Sequence, residues 1–139
     1  MREDTIKRDN PPSPQWEQPP LDEELDEFDG HAVRLGITKE ALVEAFGRGH
    51  LQMLSDADWQ AMENCDSAGQ NWTVEEIEAH RGSERDVFGI TSAFREGKRM
   101  YAPVVLFRKN ERPFLIGGNT RLMLCRAFGV RPTIWAMHL

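Results

Sequence analysis

With 139 residues, 40% of them hydrophobic and 29% charged, the chain can bury one core and predicts a single folded domain. Its two cysteines, Cys65 and Cys125, stand far apart in no paired pattern, which excludes a disulfide framework and a zinc ribbon and fits a reducing compartment. No window approaches the roughly 18 apolar residues that span a bilayer, and Met1 leads into polar sequence, so a soluble, cytoplasmic protein without a membrane partner is expected.

The net charge of −6 is unevenly spread. Residues 1–29 hold ten acidic and three basic residues, residues 30–84 ten and four, and residues 85–139 three and ten. Arg95, Lys98, Arg99, Arg108, Lys109, Arg112 and Arg131 of the basic third form either a solvated face or a track for phosphates or a nucleic-acid backbone.

The first segment, residues 1–29, reads as an acidic flexible tail preceding a domain over 30–139. Pro11, Pro12, Pro14, Pro19 and Pro20 precede Leu21–Asp29, a composition too poor in apolar surface to offset ordering entropy. Leu21, Leu25 and Phe28, at i, i+4 and i+7, supply a short amphipathic face by which this tail docks on a partner protein or on the basic third of its own chain.

Three helix starts then share one signal, a hydrophobe, a Ser or Thr cap, and a second hydrophobe four positions after the cap. Ile37-Thr38 with Leu42, Leu54-Ser55 with Trp59, and Trp72-Thr73 with Ile77 fit it, and Thr73 with Glu76 makes a capping box. Helices are predicted over Lys39–Phe46, Asp56–Asn64 and Val74–Arg81, with Gly47 and Gly82 as stops. A fourth is predicted over Ser92–Glu96, between Thr91 as cap and Gly97 as stop.

Ala102–Arg108 and Phe114–Ile116 are continuous apolar runs around the polar turn Lys109–Arg112, and predict a hairpin. A helix over Thr120–Phe128 and a strand over Thr133–Met137 follow, which predicts a right-handed parallel crossover. The fold class expected is therefore α/β (α+β), a helical N-terminal half packed on a small mixed sheet that ends in a hairpin–helix–strand unit.

Between the hairpin and that helix stand Gly117, Gly118, Asn119, Thr120 and Arg121. The glycines let the backbone turn sharply, and the N–H groups of the helix start carry about half a positive charge. Asn119 and Thr120 can cap or bind there, and Arg121 adds a cation, so the turn predicts a site for phosphate or another oxyanion. Elsewhere no phosphate loop, His-Glu-x-x-His, Gly-x-Ser-x-Gly or calcium loop occurs. His31, His50, His80 and His138 are dispersed, and no metal site is expected from them. Glu84, Arg85 and Asp86 form either a salt-bridge cluster or a carboxylate that orients Mg²⁺ or a nucleophile beside a nucleotide.

A hairpin ending in Gly-Gly, Asn-Thr-Arg-Leu at the head of a helix ending Ala-Phe-Gly, and a closing strand after Pro132 resemble the ParB/sulfiredoxin-like fold over residues 84–139. The segment Ile90–Gly97 followed by Pro103 suits the helix before that family's first strand. Asn64-Cys65-Asp66-Ser67 and Asn-Thr-Arg-Leu-Met are similar to short bacteriophage-type members. The equivalent turn reads Gly-Glu-Arg-Arg in partition proteins and Gly-Cys-His-Arg in sulfiredoxins, so Gly118 and Arg121 match its first and last positions. The resemblance implies nucleotide-phosphate contacts for Gly117, Gly118, Asn119, Thr120 and Arg121; the cofactor is left open, a nucleotide with Mg²⁺ being one candidate. Asn119 stands where sulfiredoxins carry their cysteine, so that activity is not expected, and Thr120 replaces the first arginine of the partition-type box. With Leu139 as the last residue, no helix-turn-helix domain follows, and operator binding by that route is not expected. Two further readings stand beside phosphate or nucleotide binding. One is nucleotide hydrolysis, phosphotransfer or nuclease chemistry on the same turn; the other is a non-enzymatic interaction or regulatory role for the acidic segment.

Overall fold

Each of the three caps read from the sequence forms its bond. Thr38 Oγ1 accepts from the Ala41 N–H at 3.0 Å and Ser55 Oγ from the Asp58 N–H at 3.0 Å. Thr73 and Glu76 close their box reciprocally, at 3.1 and 2.8 Å. The computed structural model describes residues 13–65, 72–81 and 87–139. In chain order the elements are β1 (Gln15–Glu17), α1 (Leu21–Leu35), α2 (Lys39–Gly47), β2 (His50–Met53), α3 (Asp56–Ala61), α4 (Val74–Arg81), α5 (Val87–Glu96), β3 (Arg99–Tyr101), β4 (Val104–Phe107), β5 (Phe114–Gly117), α6 (Asn119–Phe128) and β6 (Thr133–His138). Gly82 and the Glu84-Arg85-Asp86 cluster lie outside the described residues, as do residues 1–12 and the Asp66-Ser67 end of the phage-type motif.

The chain is a mixed α/β protein. Four strands form one sheet in the order β2-β6-β4-β5, with β6 parallel to β4 and the other two pairings antiparallel. Alternation along the strands serves two cores. Val104, Leu106, Phe114, Ile116, Trp135 and Met137 face α1 and α2, meeting Phe28, Ala32, Leu42 and Phe46. Val105, Leu115, Ile134 and Ala136 face the other way, against Leu54, Met62 and Leu122 of α6. A third cluster joins α4, α5 and α6 through Ile77, Val87, Phe94, Met123 and Leu124.

Five expectations are corrected. Residues 13–29 are not a loose tail: β1 pairs in parallel with β3, Trp16 opposite Met100, and α1 buries Glu24, Phe28 and Ala32. The boundary drawn at residue 29 falls inside α1, which runs on to Leu35 and stops at Gly36 (φ +71°). The crossover is not a simple strand–helix–strand unit. The hairpin gives one edge of β4 to β5, so β6 takes the other, and β5 and β6 run in opposite directions with β4 between them. Helix α5 begins at Val87, which places Thr91 inside it, its buried hydroxyl donating to Phe88 O at 3.0 Å. Finally, α3 ends at Ala61, because Met62 turns extended and Glu63 pairs with the start of β5. The Glu63 N–H donates to Pro113 O and its own carbonyl accepts from Leu115 N–H.

Candidate functional site

The glycine turn lies where the sequence placed it, between β5 and α6, and its first helical bond runs from Leu122 N–H to Gly118 O at 3.0 Å. Gly118 has φ +104°, a conformation that an L side chain rarely adopts. Its α-carbon also passes so close to β4 that a Cβ there would stand 2.8 Å from Pro103 Cβ and 3.1 Å from Arg121 Nη2. Thr120 is buried, and the Asn119 amide points along the helix toward Met123 Sδ at 3.8 Å.

Two findings change how this turn reads. The first concerns Arg121. Its Nη1 donates to the main-chain oxygens of Tyr101 and Ala102, which ties the guanidinium to the end of β3. Arg121 is thus a half-buried cation that also braces the turn against β3. The second is that the turn already faces a carboxyl group of the chain itself. Glu24, in the first turns of α1, is 7% exposed, and its Oε1 would lie 2.7 Å from a Cβ placed on Gly117. The Glu24 carboxyl thus fills the space that a side chain at Gly117 would take. Burial raises the pKa of Glu24, and the Arg121 charge opposes that rise. Burial likewise works against the charge on Arg121, and Glu24 supports it.

Helix α1 is fixed over the turn by more than this side chain. His31 Nε2 lies 3.0 Å from Ile116 O, donating in the tautomer that carries its proton there, and the ring meets Phe114 edge-on at 5.2 Å. Burial lowers the His31 pKa, with Glu27 acting in the opposite sense. Leu21 and Leu25 pack on the same core as Phe28. Cys125, one turn along α6 from Arg121, is fully buried and its thiol is pushed far up by burial, so it is no nucleophile.

Six of the seven basic residues singled out in the basic third meet carboxylates of the chain. Arg99 pairs with Glu17 at 2.7 Å, Arg131 with Asp56 at 2.8 Å, and Arg95 approaches Glu78 at 3.9 Å. Arg108 and Arg112 share the Glu63 carboxylate at 3.2 and 2.9 Å. Lys98 pairs locally with Glu96. Several charges segregated along the sequence thus meet in space, and the acidic N-terminal segment supplies Glu17 to Arg99 and sets Glu24 in the field of Arg121. His50 and His138 stack at 5.6 Å. Among the described residues no three His, Cys, Asp or Glu side chains converge in a metal-binding group, and no helix is long and apolar enough to cross a membrane.

Sequence reasoning missed Glu24 because the acidic run 22–29 was read by composition. Its spacing held the signal: Glu24 lies one turn before Phe28 and two before Ala32, on the face that α1 buries. Comparison with protein-family models, with curated proteins and with solved structures returns no match.

Proposed function

We propose that this chain is a ParB/sulfiredoxin-like module that takes the phosphate of a nucleotide or another phosphorylated ligand at the Gly117–Arg121 turn, in competition with its own Glu24. The observation that carries this reading is the buried Glu24 carboxylate against Gly117, in the field of the Arg121 guanidinium. A turn that already houses one acidic side chain, beside an arginine and a helix N-terminus, offers the space and the positive potential that a phosphate needs. Access then depends on moving one side chain of α1, so the acidic segment acts as a built-in competitor.

Deleting residues 1–29 is an unsuitable test, because it removes Trp16 and Phe28 from the cores along with Glu24. Glu24→Ala isolates the competitor. Calorimetric titration of the wild type and this variant with ATP, CTP, GTP and inorganic phosphate, with and without Mg²⁺, is expected to show binding at least about tenfold tighter in the variant. Failure of every ligand to bind either protein, with the fold intact by circular dichroism, overturns the reading.

A second reading follows from the same carboxylate. If Glu24 is the permanent occupant, the turn is a structural latch and the protein works through its surfaces as a non-enzymatic interaction protein. The hydrolytic alternative gains nothing from Cys125, whose thiol stays protonated.

A further inference from the structure

At the far end of α6 from the glycine turn, the guanidinium of Arg126 lies over the indole of Trp59, its carbon 4.3 Å from the ring centroid. Such stacking uses the flat face of the guanidinium and leaves its edges for hydrogen bonds. Yet Arg126 Nε and Nη2, with Trp59 Nε1, are closed from solvent and meet no acceptor among the described residues. Nε and Nη2 form the side-on edge whose parallel N–H bonds match the two oxygens of a carboxylate. Buried donors in folded proteins are nearly always matched, so an unmatched edge of this kind demands an explanation.

The residues around it supply one. A cleft of about 240 Å³ opens beside the stack, lined by Asp56, Trp59, Cys125, Arg126, Val130 and Arg131. Arg131 is already paired with Asp56 at 2.8 Å, which leaves Arg126 as the uncompensated cation of the cleft. The remaining walls, Trp59, Cys125 and Val130, are apolar. A single negative charge on a planar group, carried by a small apolar body, satisfies the charge, the edge and the walls together. A phosphate dianion leaves one charge over and does not match the planar edge.

We propose that this cleft binds a small monocarboxylate, its two oxygens on the Nε–Nη2 edge of Arg126 and its apolar part against Trp59 and Val130. The edge is sealed in this conformation, so binding turns the guanidinium outward over the indole that supports it. The site is independent of the glycine turn, and none of its residues takes part in the contacts of Glu24.

Nitrogen–proton correlation spectra of the full chain test the proposal, with the Trp59 indole signal assigned through Trp59→Phe. Butyrate and benzoate are titrated in, with butyramide and inorganic phosphate alongside. The expected result is a saturable shift of the Trp59 indole N–H and of residues 125–131 with both carboxylates and none with the amide. Arg126→Lys keeps the charge, loses the edge and is expected to weaken binding about tenfold or more. Absence of any saturable shift with either carboxylate overturns the site. An undiminished response in a folded Arg126→Lys overturns the role of the edge, and binding of phosphate alone overturns the ligand class. Shifts confined to residues 117–121 place the carboxylate at the other turn and also overturn it.

Discussion

Glu24 and Gly117 are 93 positions apart and in close contact, the carboxylate Oε1 lying 2.7 Å from where a side chain on the glycine would begin. The contact joins the acidic N-terminal segment to the turn that carries the strongest sequence signal in the chain, and it makes the identity of residue 117 depend on residue 24.

Gly117→Ala is expected to destabilise the protein by about 1 kcal/mol, since the added methyl must displace the end of a flexible side chain and not the backbone. In a Glu24→Ala background the same change should be close to neutral. Urea denaturation of the four proteins in this cycle measures the coupling.

Stability should fall with rising pH through Glu24. Burial holds its folded pKa above the usual 4.5, so its contribution is complete below 4.5 and is lost as pH rises through the raised value. The stability difference between wild type and Glu24→Gln should therefore decline from pH 4.5 upward and then level off. His31 works in the opposite sense. Its pKa is lowered from 6.5, so its contribution is present above 6.5 and is lost as pH falls through the lowered value. His31→Gln should remove that slope, read from denaturation midpoints at a series of pH values.

Phe28→Ala should cost about 3–5 kcal/mol, as for a fully buried aromatic in a close-packed core. Had residues 13–29 been a loose tail, the change would be nearly silent. Thermal denaturation followed by circular dichroism decides between the two.

Glu63 holds Arg108 and Arg112 while its backbone pairs with the start of β5. Glu63→Gln should destabilise by about 1–2 kcal/mol, because it leaves two guanidinium groups short of a charged acceptor, one of them only 20% exposed. Added salt should shrink the difference between wild type and variant, which denaturation at low and high ionic strength will show.

Thr73→Ala removes one half of the α4 box and should cost about 1 kcal/mol. Faster amide exchange in α4 than in α2, whose Thr38 cap is untouched, is the expected signature.

Local chemistry was most legible in the sequence where the decisive partner lay within four residues, as in the caps of α2, α3 and α4 and the glycine turn, and the hairpin was legible from two apolar runs around a short polar turn. What escaped depends on distant partners. β1 is a strand only because Gln15, Trp16 and Glu17 find Arg99, Met100 and Tyr101, and β2 only because β6 offers an edge. The direction of β6 is likewise set by β4, with which it pairs, and not by the strand that precedes it. Helix α1 was a different failure, since its signals were present: Pro20 at the start, Asp22, Glu23 and Glu24 in the first turn, Gly36 at the end. Composition outweighed them because six acidic residues behind a proline-rich stretch resemble a disordered segment until the buried face is traced to Leu35.

Trp16 packs against two of the three cores at once, beside Leu21 and Leu25 on one side and edge-on to Phe94 on the other. That double anchorage means the leading strand cannot peel from one half of the molecule while remaining docked on the other. Release of the segment is then a global event, and any guest admitted at the glycine turn has to be accommodated by rotamer exchange at Glu24 within an otherwise standing fold.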